Sequence, residues 1–560
     1  MTDHNPIASH VRGADTPPLL TLTVGACLAR AAAAWPDAEA LVARHQARRF
    51  SFAQLHEQVD ALAAGLLALG LNRGDRIGIW SPNRFEWVLL QFASARVGII
   101  LVTINPAYRL AELEHALTLS GCRALVTAIA FKGSDYLSML RTLLPELERP
   151  GPLHAARTPD LRWVIHLGSD DLPGMMRFDR LVVLGTESER RRVEEIAAEV
   201  DFRDAVNLQF TSGTTGLPKA TTLSHHNIVN NAQFVAAAMG LRHGDRLCVP
   251  VPLYHCFGMV MSSLACVLAG ATMVFPAEGF DPLAVLQTVQ DECCTMLHGV
   301  PTMFIAEMAH PEFARFDLST LRGGIMAGSP CPIEVMRSVM ERMHMAEITI
   351  AYGMTETSPV SFQSSVDDAI ERRVSTVGRI QPHLEAKIVD LDGEIVPRGV
   401  SGELLVRGYS VMKGYWGDDK RTREVVDGEG WMHTGDLAVL DEDGYCQIVG
   451  RAKDMLIRGG ENIFPREIEE YLHRHPGIET VQAFGVPDDK YGEEVCVWVK
   501  LRAGAALSED ELRAFCQDQI AHYKVPRHIV FVDEFPMTAT GKIQKFIMRE
   551  IMVELLTGKR

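Results

Sequence analysis

Nine consecutive residues, TSGTTGLPK at 211–219, carry the sharpest chemical signal in the sequence. Gly213 and Gly216 let backbone N–H groups approach an anion closely, and the hydroxyls of Thr211, Ser212, Thr214 and Thr215 add donors. Leu217 and Pro218 then lead to Lys219, a point charge suited to phosphate oxygens. Together they predict a phosphate cradle; a flexible turn between strands is the plainer alternative. The Walker pattern is absent, because that loop needs Gly-Lys followed by Ser or Thr, whereas Pro218 precedes Lys219 and Ala220 follows it.

A cradle of this kind needs a strand to deliver it and a helix behind it. AVNLQF (205–210) reads as the strand, and Ser224 can cap a helix carrying Ile228, Ala232, Val235 and Met239. The same alternation occurs earlier, where GIILVTI (98–104) precedes Leu110, Leu113 and Leu117 at helical spacing with Gly121 as the C-cap. LCVP, TMVF, TMLHGV, GGIMA and EITIAY follow as short apolar strands with helical patterns between them. Alternation predicts an α/β fold with parallel sheets covered by helices. After about residue 380, Asp392-Gly393, Asp427-Gly428 and Asp443-Gly444 between alternating segments predict an appended small β-sheet or barrel. GRAKDMLIRGG (450–460) has the composition of a hinge, and a compact α+β unit follows it. The expected organisation is a large N-terminal domain over 1–450, a hinge at 451–453 and a mobile C-terminal domain over 454–560. The stretch 148–175 reads as surface loops, and ESERRRVEE (187–195) as a solvated helix face.

Composition bounds the rest. The 560 residues hold 55 Lys and Arg against 71 Asp and Glu, a formal charge of −16, with 47% hydrophobic side chains. Such a chain exceeds one core and is too apolar for extended disorder. Its acidic balance argues against a non-specific nucleic-acid binder, which needs a basic face, but leaves a locally positive cleft for anionic substrates. Eleven Cys without a CxxC spacing read as reduced, mostly buried thiols of a cytoplasmic protein with no structural metal. The opening MTDHNPIASHVRGAD has neither the basic head and apolar stretch of a signal peptide nor the repeated Arg of a transit peptide. Between Arg246 and Glu278 no formally charged residue occurs, a length that can span a bilayer, yet Pro250, Pro252, His255, Gly258 and Gly270 break it up. It reads as buried core, so no integral membrane segment is expected, and peripheral contact stays open.

The cradle is one of seven motifs in a fixed order: TSGTTGLPKA (211–220), PLYHCFG (252–258), AGSP (327–330), YGMTET (352–357), WMHTGD (431–436), GRAKDMLIRGGENIFPREIE (450–469) and TATGKIQK (538–545). By these the chain resembles the adenylate-forming, or AMP-binding, superfamily of acyl-CoA synthetases, luciferases and peptide-synthetase adenylation domains. The resemblance covers roughly residues 20–555, and NPAYRLAELEHAL with GGENIFPREIE makes it most similar to medium- and long-chain fatty-acyl-CoA synthetases.

The resemblance implies a two-step reaction: a carboxylate attacks the α-phosphate of ATP to give acyl-AMP and pyrophosphate, then the thiol of coenzyme A displaces AMP. It implies Glu356, with Thr211, as ligands of Mg2+, which favours oxygen donors shared with phosphates. Tyr352 would lie on the adenine beside Gly328, Ser329 and Pro330; Gly353 and Met354 belong to the same motif, and Thr355 would reach the α-phosphate. Asp436 and Arg451 would hold the ribose, Lys453 would be the hinge, and Lys542 would bridge the substrate carboxylate and the α-phosphate. Gly459, Gly460, Glu461 and Asn462 would line the entry of coenzyme A.

His255 resembles the family's gate beside the carboxylate, although a lone His in an apolar run is often a hydrogen-bonded core residue. Phe257, Met261, Val300 and Ala327 would wall the acyl pocket, whose small and flexible side chains suit a slender apolar tail. CFGMVM offers no carboxylate for a substrate ammonium, which argues against amino acids. Three readings remain: a fatty-acyl-CoA ligase; an aryl-CoA ligase or a stand-alone enzyme loading a carrier protein; and a non-catalytic acyl or nucleotide sensor. Monomer and homodimer both stay open.

Overall fold

The computed structural model describes residues 7–149, 151–211, 218–451, 454–458, 461–488, 490–517, 519–538 and 542–557. Among these residues two large mixed sheets form the body. One runs Met176–Arg177, Trp163–His166, Ala124–Thr127, Arg76–Trp80, Ile100–Ile104, Ala205–Thr211, Lys219–Ser224 and Gly414–Tyr415. The other runs Arg379–Ile380, Val360–Gln363, Glu347–Gly353, Gly323–Ala327, Met296–Gly299, Arg246–Cys248, Thr272–Phe275, Glu39–Ala43 and Arg48–Ser51. The inner strands of both pair in parallel, with antiparallel strands at the margins. Their apolar, β-branched segments are buried on both faces, as parallel strands covered by helices must be.

Helix boundaries follow capping chemistry. Ser224 accepts from the N–H of Asn227 and starts the helix His225–Ala238, and Thr186 does the same for Glu187–Glu199. That second helix buries only Val193, as its charged sequence requires. The apolar stretch after Arg246 resolves into strand Arg246–Cys248, helical turns over 256–269 and strand Thr272–Phe275, all inside the body.

An open antiparallel sheet, not a closed barrel, follows: His10–Arg12, Leu384–Val389, Gly402–Gly408, Met432–Leu440 and Cys446–Arg451. The C-terminal residues build a further sheet of Glu461–Ile463, Leu456–Arg458, Gly492–Leu501, Ile478–Asp488 and His528–Phe531, with cores of its own around Ile468, Val497 and Met548.

Two local expectations need correction. Residues 148–175 are not all loop, since Trp163–His166 is a strand within the first large sheet. Asp427-Gly428 does not join two strands: the helix Asp419–Val425 precedes it, and the turn closes through Gly430 with the N–H of Asp427 on the Trp431 carbonyl. His10–Arg12, unmarked in the sequence, pairs with Leu384–Val389 across the length of the chain because its neighbours lend it a hydrogen-bonding edge.

Candidate active site

The carboxyl ends of parallel strands converge on one cleft, the place where open α/β sheets bind ligands. Ala205–Thr211 ends on Thr211, Met296–Gly299 leads to Val300, Gly323–Ala327 to Gly328, Glu347–Gly353 to Thr355 and Glu356, and Arg246–Cys248 feeds the loop carrying His255. Glycine is favoured at two positions there, by backbone angle at Gly328 and by lack of space at Gly353. Gly328 has φ +92°, and a Cβ on it would stand 3.2 Å from Val300 and 3.6 Å from Lys542 Cε. At Gly353 a Cβ would fall 1.7 Å from the Pro359 carbonyl oxygen.

Glu356 is buried, and its Oε1 accepts from the Tyr415 hydroxyl at 2.9 Å and the Thr211 hydroxyl at 3.5 Å. Lys219 places its ammonium 4.8 Å from the centre of the Tyr415 ring. About 84 residues along the chain from Tyr352, Asp436 accepts that residue's hydroxyl at 2.6 Å on one oxygen and Arg451 Nε at 3.1 Å on the other. Asp436 and Arg451 are direct partners across the ladder, so the ion pair is set by strand register. Burial, reinforced by the adjacent Asp436 charge, holds the Tyr352 hydroxyl well above the ordinary tyrosine range and therefore a donor.

Lys542 reaches this cleft from the C-terminal lobe. Its N–H donates to the Thr538 hydroxyl at 3.1 Å and its carbonyl accepts from the Thr538 N–H at 2.7 Å. Met537 and Ile543 bridge just outside, which pins both ends of the loop. Burial pulls the ammonium below the ordinary lysine range; Cys256, Asp436 and Glu356 oppose that and Arg451 adds to it. The lysine is thus within electrostatic reach of all three charged motif residues.

His255 is both core residue and cleft residue. Its Nδ1 accepts from the Phe257 N–H at 3.2 Å and caps a short helical turn, so the neutral ring carries its proton on Nε2. Burial, with Lys542 adding to it, pushes the imidazole down to about 3. Phe257, Met261, Val300 and Ala327 are all buried, and Met259–Leu264 is widened to π-helical geometry, a departure common beside functional sites. The neighbouring His298, 5.3 Å from the Phe257 ring and 3.0 Å from the Ser262 hydroxyl, is likewise neutral, with burial pushing it down to about 3.

Three contributors escaped sequence reasoning. Tyr415 lies in KGYW, which carries no motif, and only the pairing of Gly414–Tyr415 with Lys219–Ser224 brings it to Glu356. Cys256 has the look of any buried thiol, yet its Sγ sits 3.6 Å from the Thr355 hydroxyl; burial pushes it up to about 11. His115 Nε2 is 2.9 Å from the Pro218 carbonyl oxygen, next to Lys219. Ser329 and Pro330 line the strip after Gly328, with the Ser329 carbonyl accepting from Cys331, and the Met354 N–H donates to the Pro359 carbonyl. Ser212, Gly213, Thr214, Thr215, Gly216, Leu217, Lys453, Gly459 and Gly460 lie outside the described residues, as does the Asn462 side chain; Glu461 is exposed on the short strand Glu461–Ile463.

A cleft at the carboxyl ends of the strands, reached by a lysine from a second lobe, is the arrangement of an adenylate-forming enzyme. The chain belongs to the AMP-binding enzymes: that family's model matches residues 28–416, and the model of its C-terminal domain matches 467–542. It is 49% identical over 540 residues to YngI of Bacillus subtilis (strain 168), covering 96% of this chain and 98% of that protein. It is also 49% identical over 547 residues to the medium-chain acyl-CoA ligase ACSF2, mitochondrial, of Danio rerio, covering 97% and 90%. The anthranilate CoA ligase AuaEII, solved with anthranoyl-AMP, superposes with a TM-score of 0.85 at 27% identity, covering 97% of this chain and 99% of that one.

Proposed function

We propose that this chain activates a medium-length fatty acid as its acyl-adenylate and passes the acyl group to coenzyme A. The enzyme is an ATP-dependent acid–thiol ligase that releases AMP and pyrophosphate. The observation that carries the assignment of roles is the position of Lys542, against Gly328 and within the field of Asp436 and Glu356.

In the first step two anions meet. Lys542 lies between the carboxylate and the α-phosphate, offsetting their repulsion where negative charge develops. The Nε2 proton of His255 and the Thr355 hydroxyl would offer donors to the same oxygens, while Asp436 and Arg451 would hold the ribose and Tyr352 the base. Lys219 and the loop 211–217 take the outer phosphates. Glu356 and Thr211 form an all-oxygen donor set suited to a hard cation that draws its other ligands from phosphates and water. Bound there, Mg2+ supplies charge neutralisation for the triphosphate. For the second step the C-terminal lobe, 454–560, swings about 451–453, withdrawing Lys542 and bringing Gly459, Gly460, Glu461 and Asn462 to the path of coenzyme A.

A medium-length acid is supported by the name of the ACSF2 relative and by the buried, uncharged pocket walls. The aryl alternative draws on AuaEII, a more distant relative in sequence. Cytoplasmic placement rests on the eleven free thiols, ten of them buried; no helix among the described residues is long and apolar enough to cross a membrane. The test is acid-dependent ATP–pyrophosphate exchange across C2 to C18 and aryl acids, followed by thioester formation with coenzyme A. Medium chains should give the highest exchange. No exchange with any acid would indicate a sensor, and exchange without thioester would indicate carrier loading.

A further inference from the structure

Tyr415 belongs to none of the seven motifs, yet it touches two of the groups assigned to the triphosphate. Its hydroxyl donates to Glu356 Oε1 at 2.9 Å, and its ring faces the Lys219 ammonium at 4.8 Å from the centroid. The side chain is buried, and its backbone is fixed by the ladder with Thr221 and by its N–H on the Thr422 hydroxyl at 2.9 Å. Its O–H must point at the carboxylate, because a buried hydroxyl left unpaired costs about 1–3 kcal/mol. Its face offers the ammonium a site of partial negative charge without a competing counter-ion.

That pairing has a consequence for charge placement. Lys219 and Glu356 carry opposite charges in one cleft, and a direct ion pair between them would neutralise both before a nucleotide arrived. The aromatic ring between them keeps the ammonium on its face and the carboxylate on its rim. Each charge is thereby held in place but left available, the ammonium for phosphate oxygens and the carboxylate for a phosphate-bound cation. The Met412 N–H, on the Glu356 carbonyl at 2.9 Å, fixes the backbone of that residue from the same segment of chain.

We propose that Tyr415 is a positioning residue for the triphosphate site, a spacer that holds Lys219 and Glu356 apart and correctly oriented for Mg-ATP. The proposal rests on the reading of Lys219 and Glu356 as phosphate- and cation-handling groups. The test is calorimetric binding of Mg-ATP to the full chain without acid or coenzyme A, alongside thioester formation from supplied acyl-AMP. Tyr415→Phe keeps the ring and loses the hydroxyl, and should weaken Mg-ATP binding about tenfold. Tyr415→Leu loses both and should weaken it by about a further threefold. Thioester formation from acyl-AMP should stay within about twofold of the parent, which a general loss of structure would not allow. The gap between Phe and Leu should close in a Lys219→Ala background, and the effect of Tyr415→Phe should vanish in a Glu356→Gln background. Parental Mg-ATP binding by both Tyr415 variants, or effects that persist unchanged in those backgrounds, would overturn the inference alone. Should the Leu variant fail to fold, the Tyr415→Phe and Glu356→Gln cycle decides, zero coupling being the overturning result. If Lys219→Ala and Glu356→Gln themselves bind Mg-ATP normally, the reading of the phosphate site falls and the inference with it.

Discussion

Lys542 illustrates how a side chain can be costly at rest and effective in use. Burial favours its neutral form, so the unliganded site holds the ammonium against a desolvation penalty. A bound carboxylate and α-phosphate reverse that balance, because two anions stabilise the charged form. On the proposed role adenylation needs the ammonium, so kcat/KM, which reports the free enzyme, should fall as pH rises through the lowered pKa of the unliganded site, earlier than the ordinary 10.5 of a lysine. Lys542→Arg should move that alkaline limb out of the measurable range, whatever its residual rate, since a guanidinium does not titrate there. A limb that stays in place would assign it to another group. Lys542→Ala should lower pyrophosphate exchange by about 10²–10³-fold while thioester formation from supplied acyl-AMP persists. Equal loss of both steps would mean the residue serves folding.

Elements deliver these residues, and the sequence marks the elements unevenly. The strand before the cradle, the Ser224 cap and the apolar runs of the body are legible because burial on both faces and local capping leave a pattern in the residues themselves. Tyr415 is illegible because a two-residue edge strand has no periodicity, and its importance arises only from pairing with Lys219–Ser224. Trp163–His166 was hidden by the Pro and Gly around it, and His10–Arg12 by a partner more than 370 residues away. Gly328 lies between these extremes: AGSP marks a turn, but only the fold reveals that Lys542 packs beside it. Gly328→Ala adds a strained left-handed backbone, roughly 1–2 kcal/mol, and a methyl pressed against Val300. Adenylation should fall about tenfold with little change in the thioester step. If melting temperature drops but the two half-reactions keep their ratio, the glycine serves stability and not the lysine.

At the scale of the whole molecule, the orientation that admits Lys542 is held by a small polar contact away from the chemistry. On the helix Pro465–Leu472, Arg466 Nη1 donates to the Ile448 carbonyl at 2.6 Å, while Glu470, 3.6 Å from Arg466, lies beside the backbone of Ile333 at the start of the helix Ile333–Arg342. Ile448 and Ile333 belong to the body and Arg466 and Glu470 to the C-terminal lobe, so the pair spans the proposed moving surface. A charge-assisted hydrogen bond of this kind contributes about 1.5–3 kcal/mol, enough to bias an equilibrium between orientations and too little to prevent exchange. Removing it should therefore change the division of labour more than the sum. Arg466→Met, which keeps the apolar stem and deletes the donor, should slow pyrophosphate exchange about fivefold to tenfold and leave thioester formation from acyl-AMP equal or faster. Glu470→Gln should act in the same direction and add little on top of Arg466→Met, because both report on one contact. A parallel fall in both half-reactions would place the pair in the stability of the lobe, and the lysine would then owe its position to the pinned loop at Thr538 alone.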